Sequence, residues 1–212
     1  MRLDAGHWME HLDNARTLAL AGDVEGVHQV RVSLRRLRVW LSFRKNPQLD
    51  AELRWLCGEL ALLRDLDVFG EVFTEAAKEE LRHRAVAQAM SALQSARWLV
   101  LREQLSGVRA PKRSRGKKRL RQLERKLEER RSSLPSRDGP ALHRLRRSLR
   151  RVRYAREWLG TDTSELANEQ DRLGAVCDLL ALEAFAHREQ AEVPPQLTAA
   201  IESSFNWLEA HS

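Results

Sequence analysis

Two histidines, His28 and His143, each head a row of arginines at helical spacing. His28, Arg31, Arg35 and Arg38 follow one another at intervals of three, four and three residues, and so do His143, Arg146, Arg150 and Arg153. At about 100° per residue such groups share one face of a helix. The chemistry open to that face is anion binding. A guanidinium holds phosphate or carboxylate through a planar two-pronged fork, whereas a lysine acts as a point charge. A neutral imidazole donates one hydrogen bond, and a protonated one beside phosphate donates two. A lone histidine at a helix start reads more simply as a residue satisfied by backbone groups. Two in matched positions, each three residues before an arginine on the same face, favour the ligand reading.

The flanks of each row say where it sits. Val30, Leu34, Leu37 and Leu41 form an apolar stripe beside the first row, and Leu145, Leu149 and Val152 repeat it beside the second. That stripe packs in a bundle core. On the far side lie Val32, Val39 and Phe43, with Tyr154 and Trp158 in the second copy. A solvated basic face merges into polar neighbours. A face with apolar residues on both sides lines a groove or lies between packed units. Arginines at i,i+3 and i,i+4 repel one another, a cost that a bound polyanion offsets. Arg36 and Arg151 point away from the rows, towards solvent or a neighbouring helix.

The elements that carry these rows are expected to be helices throughout. Ala, Leu, Arg, Glu and Gln dominate, and no stretch shows sustained period-two alternation. Proline and glycine divide the chain into eight segments: Ala5–Ala21, Val24–Arg44, Gln48–Leu63, a long fourth from Asp67 or Thr74 to Leu105, Lys117–Arg131, Ala141–Leu159, a seventh from the Thr161–Ser164 cap to Gln190, and an eighth after Pro194-Pro195. Residues 109–116 read as a basic linker between a first repeat at 1–108 and a second at 117–212. The repeat is visible as a gapless alignment of Val27–Arg38 on Leu142–Arg153. It keeps the histidine, Ser33 on Ser148, Leu34 on Leu149 and the four arginines of the first copy in step, and it places Phe43 on Trp158.

Composition agrees with a folded, anion-binding chain. The 212 residues carry 37 Lys+Arg against 30 Asp+Glu, a net charge of +7. The excess is uneven, densely basic from Arg109 to Arg156 and largely acidic from Asp162 onward. Such asymmetry points to a polyanionic partner, with a solvated basic face as the plain alternative. Two cysteines, Cys57 and Cys177, build no disulfide framework or metal knuckle and fit a reducing compartment. Mean hydropathy is −0.53 and no apolar run reaches membrane-span length. Met1-Arg2-Leu3-Asp4 leads into no apolar run, so no cleaved signal peptide is expected. Six tryptophans and 42% hydrophobic content argue against disorder.

The pattern H-x-x-R-x-x-L-R-R-x-R, present twice, resembles the CHAD family, the conserved-histidine α-helical domain. Leu60-Ala-Leu-Leu-Arg-Asp-Leu-Asp-Val68 is similar to the family's L-x-x-x-R-D-L-D-V signature. Its weaker counterpart in the second repeat is Leu173-Gly-Ala-Val-Cys-Asp-Leu179, where Cys177 stands in the place of Arg64. The resemblance spans essentially the whole chain. It implies an all-α fold of two four-helix bundles related by a pseudo-twofold axis, with a basic channel between them that binds inorganic polyphosphate. The binding residues it implies are His28, Arg31, Arg35, Arg36 and Arg38, with His143, Arg146, Arg150, Arg151 and Arg153. It further implies a cytoplasmic protein that works at polyphosphate granules. No ExExK motif of the triphosphate-hydrolysing domain attached in some members is found. Polyphosphate also suits the residues on physical grounds. It carries charge on every unit and has no base to stack or read, so rows of arginine meet all of it.

Other signals are weaker. Lys112, Arg113, Arg115, Lys117, Lys118, Arg119, Arg121 and Arg125 form a second basic concentration, which either extends the phosphate site or is a solvated linker and surface helix. Lys117, Lys118, Arg121, Arg125 and Tyr154 are therefore additional candidate contacts. His7 and His11 have the i,i+4 spacing of two zinc ligands but no third partner, so no metal is expected. Trp8, Trp40, Trp55, Trp98 and Trp207 read as core. Arg64 and Asp65 read as pairing with neighbours to hold the third helix, or as orienting an arginine of the channel. No nucleophile triad, phosphate-binding glycine loop or carboxylate pair accompanies the basic helices, so binding without catalysis and without a cofactor is expected. The rival readings are a nucleic-acid binder, a polyphosphatase and a helical scaffold for another protein.

Overall fold

A computed structural model describes residues 2–69, 75–133, 138–188 and 195–210. Pro135, Thr74 and Pro194 lie outside the described residues, and so does the side chain of Trp207. Among the described residues the chain is all helical, with no strand longer than an isolated bridge between Arg2 and Lys112. The helices form two compact units, Met1–Gly116 and Lys117–Ser212.

The first unit holds α1 (Gly6–Leu20), α2 (Val24–Ser42), α3 (Pro47–Glu59), α4 (Ala61–Phe69), α5 (Glu75–Gln94) and α6 (Ala96–Ser106). Local chemistry sets the starts. Asp23 caps α2 by accepting from Glu25 N, and Asn46 caps α3 ahead of Pro47 in the first turn. The expected third and fourth segments are each broken once more. Leu60 ends α3 and separates it from α4. Ser95 caps α6 by accepting from Trp98 N at 3.1 Å, a side-chain bond that competes with continuation of the helix.

The expected stripe of α2 is the centre of this unit's core. Val30, Leu34 and Leu37 are fully buried and Leu41 nearly so, beside Leu12, Leu53, Leu56, Leu60, Leu93 and Leu101. Gly26 lets α2 lie against the end of α1. A Cβ there would stand 2.3 Å from Ala19 N, a backbone atom with nowhere to move. Gly26→Ala is expected to destabilise the unit by about 2 kcal/mol, lowering the melting temperature by roughly 4–8 °C in a thermal scan.

The second unit holds α7 (Arg113–Ser132), α8 (Gly139–Leu159), α9 (Ser164–Arg188) and α10 (Pro195–Ala210). Helix α7 begins at Arg113, inside the stretch read as linker. Lys112 O takes the first helical amides, from Arg115 and Gly116, directly after Pro111. Asp138 caps α8, and Gly160 ends it in the left-handed region at φ 62°, a conformation that favours glycine. Leu145, Leu149 and Val152 are buried as expected, with Leu123 and Leu127 from α7, Val176 and Phe185 from α9, and Ile201 and Phe205 from α10.

The matched serines have matched roles. Ser33 and Ser148 are buried on α2 and α8. Ser33 is hydrogen-bonded to His11 Nδ1 of α1 at 2.8 Å, and Ser148 accepts from Arg130 Nη1 of α7. Each unit thus satisfies its buried hydroxyl from the preceding helix.

Candidate functional site

On α2 the half-buried His28, Arg31 and Arg35 come together, and Arg64 from α4 joins them. Burial holds His28 below its ordinary pKa. Arg64, Arg35 and Arg31 push the same way, and Glu25 opposes them. Arg31 donates from Nη1 to the carbonyl oxygen of Cys57 at 2.6 Å. Its Nε is buried with no hydrogen-bond partner among the described residues. Burial also lowers the pKa of Arg31, as do Arg35 and Arg64, while Cys57 and Asp65 act against them. Among the described residues the guanidiniums of Arg35 and Arg64 have no hydrogen bond and no ion pair. Unneutralised cations held this close repel, and an anion relieves that repulsion.

Two of the binding residues implied by the resemblance are engaged elsewhere. Arg38 Nε lies 2.7 Å from Asp50 Oδ1 of α3. The guanidinium of Arg36 stacks 4.2 Å over the ring of Trp8 on α1. The direction of Arg36 is as expected, towards a neighbouring helix and away from the row.

The second unit repeats the theme with changes. His143 is held below its ordinary pKa by burial first, then by Arg147, Arg150 and Arg146. Arg146 is clamped by Asp178 of α9, Nη1 to Oδ1 at 2.6 Å and Nη2 towards Oδ2 at 3.4 Å. A Cβ at Gly174 would lie 3.4 Å from Arg146 Nη2, so the small residue leaves room for the clamp. Arg153 Nε lies 3.3 Å from Glu157, and its guanidinium lies 5.4 Å from the centre of the Tyr154 ring. Tyr154 itself is buried. Arg150 is half-buried beside His143 and Cys177, and Arg151 is exposed.

Sequence reasoning missed Arg64 and Arg147. Arg147 is four residues after His143, so the spacing was legible, but its counterpart in the first repeat is Val32 and the repeat hid it. Arg64 belongs to another helix, and no periodicity links it to His28.

The second basic concentration stays on the surface. Lys117, Lys118, Arg121 and Arg125 are exposed on α7, and Arg125 lies 3.8 Å from Glu129. The contacts of α7 with α8 use other residues, Glu124 with Arg156 and Arg130 with Ser148. His11 is spent on Ser33. Among the described residues no group of three or more His, Cys, Asp or Glu is placed to hold a metal ion. The tryptophans divide. Trp40 and Trp98 are buried, as expected of core. Trp8 and Trp55 are half-buried, each covered by a guanidinium, from Arg36 and Arg97 respectively.

The histidines set a pH dependence. His11, His28 and His143 all take protons less readily in the folded chain than an ordinary histidine does. The unfolded chain therefore binds more protons below the ordinary histidine pKa of about 6.5, so folding stability falls as pH drops through that value. Urea unfolding of the ligand-free protein at pH 7.5 and pH 5.5 is expected to show that loss, smaller in a His28→Gln, His143→Gln variant. Saturation with a tightly bound polyanion should reduce or reverse it.

Comparison with known proteins bears on this geometry. The CHAD domain family model matches residues 5–187. The crystal structure of the CHAD domain from the plant Ricinus communis is similar at TM-score 0.68 and 24% identity, covering 97% of this chain and 83% of that one. PptA from Streptomyces chartreusis is similar at TM-score 0.69 and 18% identity, covering 94% of this chain and 89% of that one. At these identities both likenesses concern the fold. No curated protein sequence matches the chain.

Proposed function

The chain belongs to the CHAD domain family, and from that premise we propose that it binds inorganic polyphosphate, without catalysis, on the basic faces of α2 and α8. Polyphosphate binding is a known role of the family, and CHAD domains are generally binding domains rather than catalytic ones. The observation that carries the reading is the convergence of His28, Arg31, Arg35 and Arg64, with no ion pair to Arg35 or Arg64 among the described residues. The corresponding contacts on α8 are His143, Arg147 and Arg150, with Arg146 held by Asp178. Arg36 and Arg38 hold α2 against α1 and α3, while Arg153 pairs along α8 with Glu157. The two units are then copies of one bundle plan, which the matched Ser33 and Ser148 contacts support.

A ligand with charge on every unit and no base asks for nothing but such cations. Titration calorimetry with long-chain polyphosphate, with single-stranded RNA of matched charge as competitor, tests the choice. Tight binding that RNA does not displace is expected. Preferential binding of RNA moves the assignment to a nucleic-acid backbone. We extend the reading to recruitment to polyphosphate granules in the cytoplasm. No described helix is long and apolar enough to cross a membrane. A fluorescent fusion should leave its foci when the cell is depleted of polyphosphate.

A further inference from the structure

We propose that the two basic faces are unequal, and that the first, with Arg64 as its fourth cation, is the tighter phosphate site. The inference rests on the polyphosphate reading above and concerns how that site is divided between the units.

In the first unit the charges face each other across two helices. Arg64 of α4 acts on both His28 and Arg31 of α2. Among the described residues no carboxylate lies within ion-pair distance of Arg31, Arg35 or Arg64. The acids nearby are accounted for. Glu25 and Asp65 act on the cluster from beyond ion-pair distance. Asp67 is bound by Arg82 at 3.1 Å and acts on Arg64 from beyond ion-pair distance. Arg31 spends a donor on a neutral carbonyl, Cys57 O, so its charge stays uncompensated. Three guanidiniums and an imidazole are thus available to one stretch of a phosphoanhydride chain.

The second unit differs at two matched positions. Cys177, buried, stands where Arg64 does, so one cation is lost. Asp178 stands where Asp65 does, and its carboxylate closes on Arg146 at 2.6 Å, so a second charge is compensated. A phosphate reaching this face must share Arg146 with Asp178 or displace it. Asp178 is about half exposed, so it lies open to the same solvent as an approaching anion. His143, Arg147 and Arg150 remain. Charge-assisted contacts dominate affinity for a ligand with no other handle, so the face with more uncompensated cations binds tighter.

Tripolyphosphate, short enough to occupy one face, is the probe. The wild-type protein is expected to show one strong site per chain. Arg64→Gln should weaken it at least tenfold and flatten the slope of log affinity against log salt by about 0.7 to 1, the share of one phosphate contact. Arg97→Gln, which breaks only the pair with Glu52 and the stack on Trp55, should leave it within twofold. Asp178→Asn should raise the stoichiometry towards two by releasing Arg146. If Arg64→Gln fails to fold, Arg64→Lys keeps the charge and should keep the salt slope, and Asp178→Asn still reads the asymmetry. Two equal sites in the wild type, or Arg64→Gln binding within twofold of it, would overturn the inference and leave the polyphosphate reading intact. A wild-type protein that binds neither tripolyphosphate nor long chains would overturn both.

Discussion

Replacing Arg35 and Arg150 together by alanine is expected to lower the affinity for long-chain polyphosphate by about 100-fold or more, with the melting temperature within a few degrees of wild type. Each arginine stands inside its row, four residues beyond the arginine that follows the histidine. A hydrogen bond to a charged group contributes about 1.5–3 kcal/mol, and about 1.4 kcal/mol corresponds to a tenfold change in affinity. Two lost contacts therefore amount to about 3 kcal/mol or more. Folding loses little at Arg35. Arg35 has no ion pair to lose among the described residues, and its removal relieves repulsion on Arg31 and His28. Arg97→Ala is the matching control. Arg97 is bound to Glu52 and stacked on Trp55, away from the histidine face, so its loss should leave polyphosphate affinity near wild type. Titration calorimetry for binding and a thermal scan for stability separate the two effects. Unchanged affinity in the double variant would sink the assignment of these faces.

The second large effect is salt dependence. Five guanidiniums, Arg31, Arg35 and Arg64 on the first face with Arg147 and Arg150 on the second, meet phosphate in this account. At about 0.7 counterions released per contact on a single strand, log affinity should fall against log salt with a slope of about −3.5. Between 50 mM and 200 mM salt that is a loss of roughly 100-fold. The Arg35→Ala, Arg150→Ala protein should show a slope flatter by about 1.4, because two contacts are gone. The slope thus counts contacts independently of the affinity itself. A slope near zero would mean that binding is not carried by these charges.

What the sequence made legible is the geometry around each helix axis. A residue's angle on its own helix follows from its spacing, so the apolar stripe of Val30, Leu34, Leu37 and Leu41 falls in the core as expected. The all-helical class follows from the dominance of strong helix formers in the same way. What spacing cannot supply is the partner that a neighbouring helix brings. Arg35 and Arg38 look alike in the row, yet Asp50 of α3 takes Arg38 and leaves Arg35 bare. Arg31 and Arg146 align without a gap, yet one meets a carbonyl and the other a carboxylate. His7 and His11 have a metal-like spacing, but a serine on α2 decides the role of His11. The breaks at Leu60 and Ser95 were hidden by strong helix formers on both sides.

The division among the arginines is the physical core of the account. Several fasten the helices together: Arg102 to Asp13, Arg97 to Glu52, Arg131 to Glu169 and Arg156 to Glu124. Net charge alone gives no way to tell these from the few that remain uncompensated beside a histidine. The polyanion reading belongs to the second group, and composition overstates it by counting both.

The most direct measurement is a crystal structure of the protein grown with polyphosphate. The account predicts phosphate groups within hydrogen-bond distance of His28, Arg35 and Arg64 on the first unit, and of His143 and Arg150 on the second. Phosphate bound along Lys117, Lys118, Arg121 and Arg125 of α7, with both histidine faces empty, would contradict it.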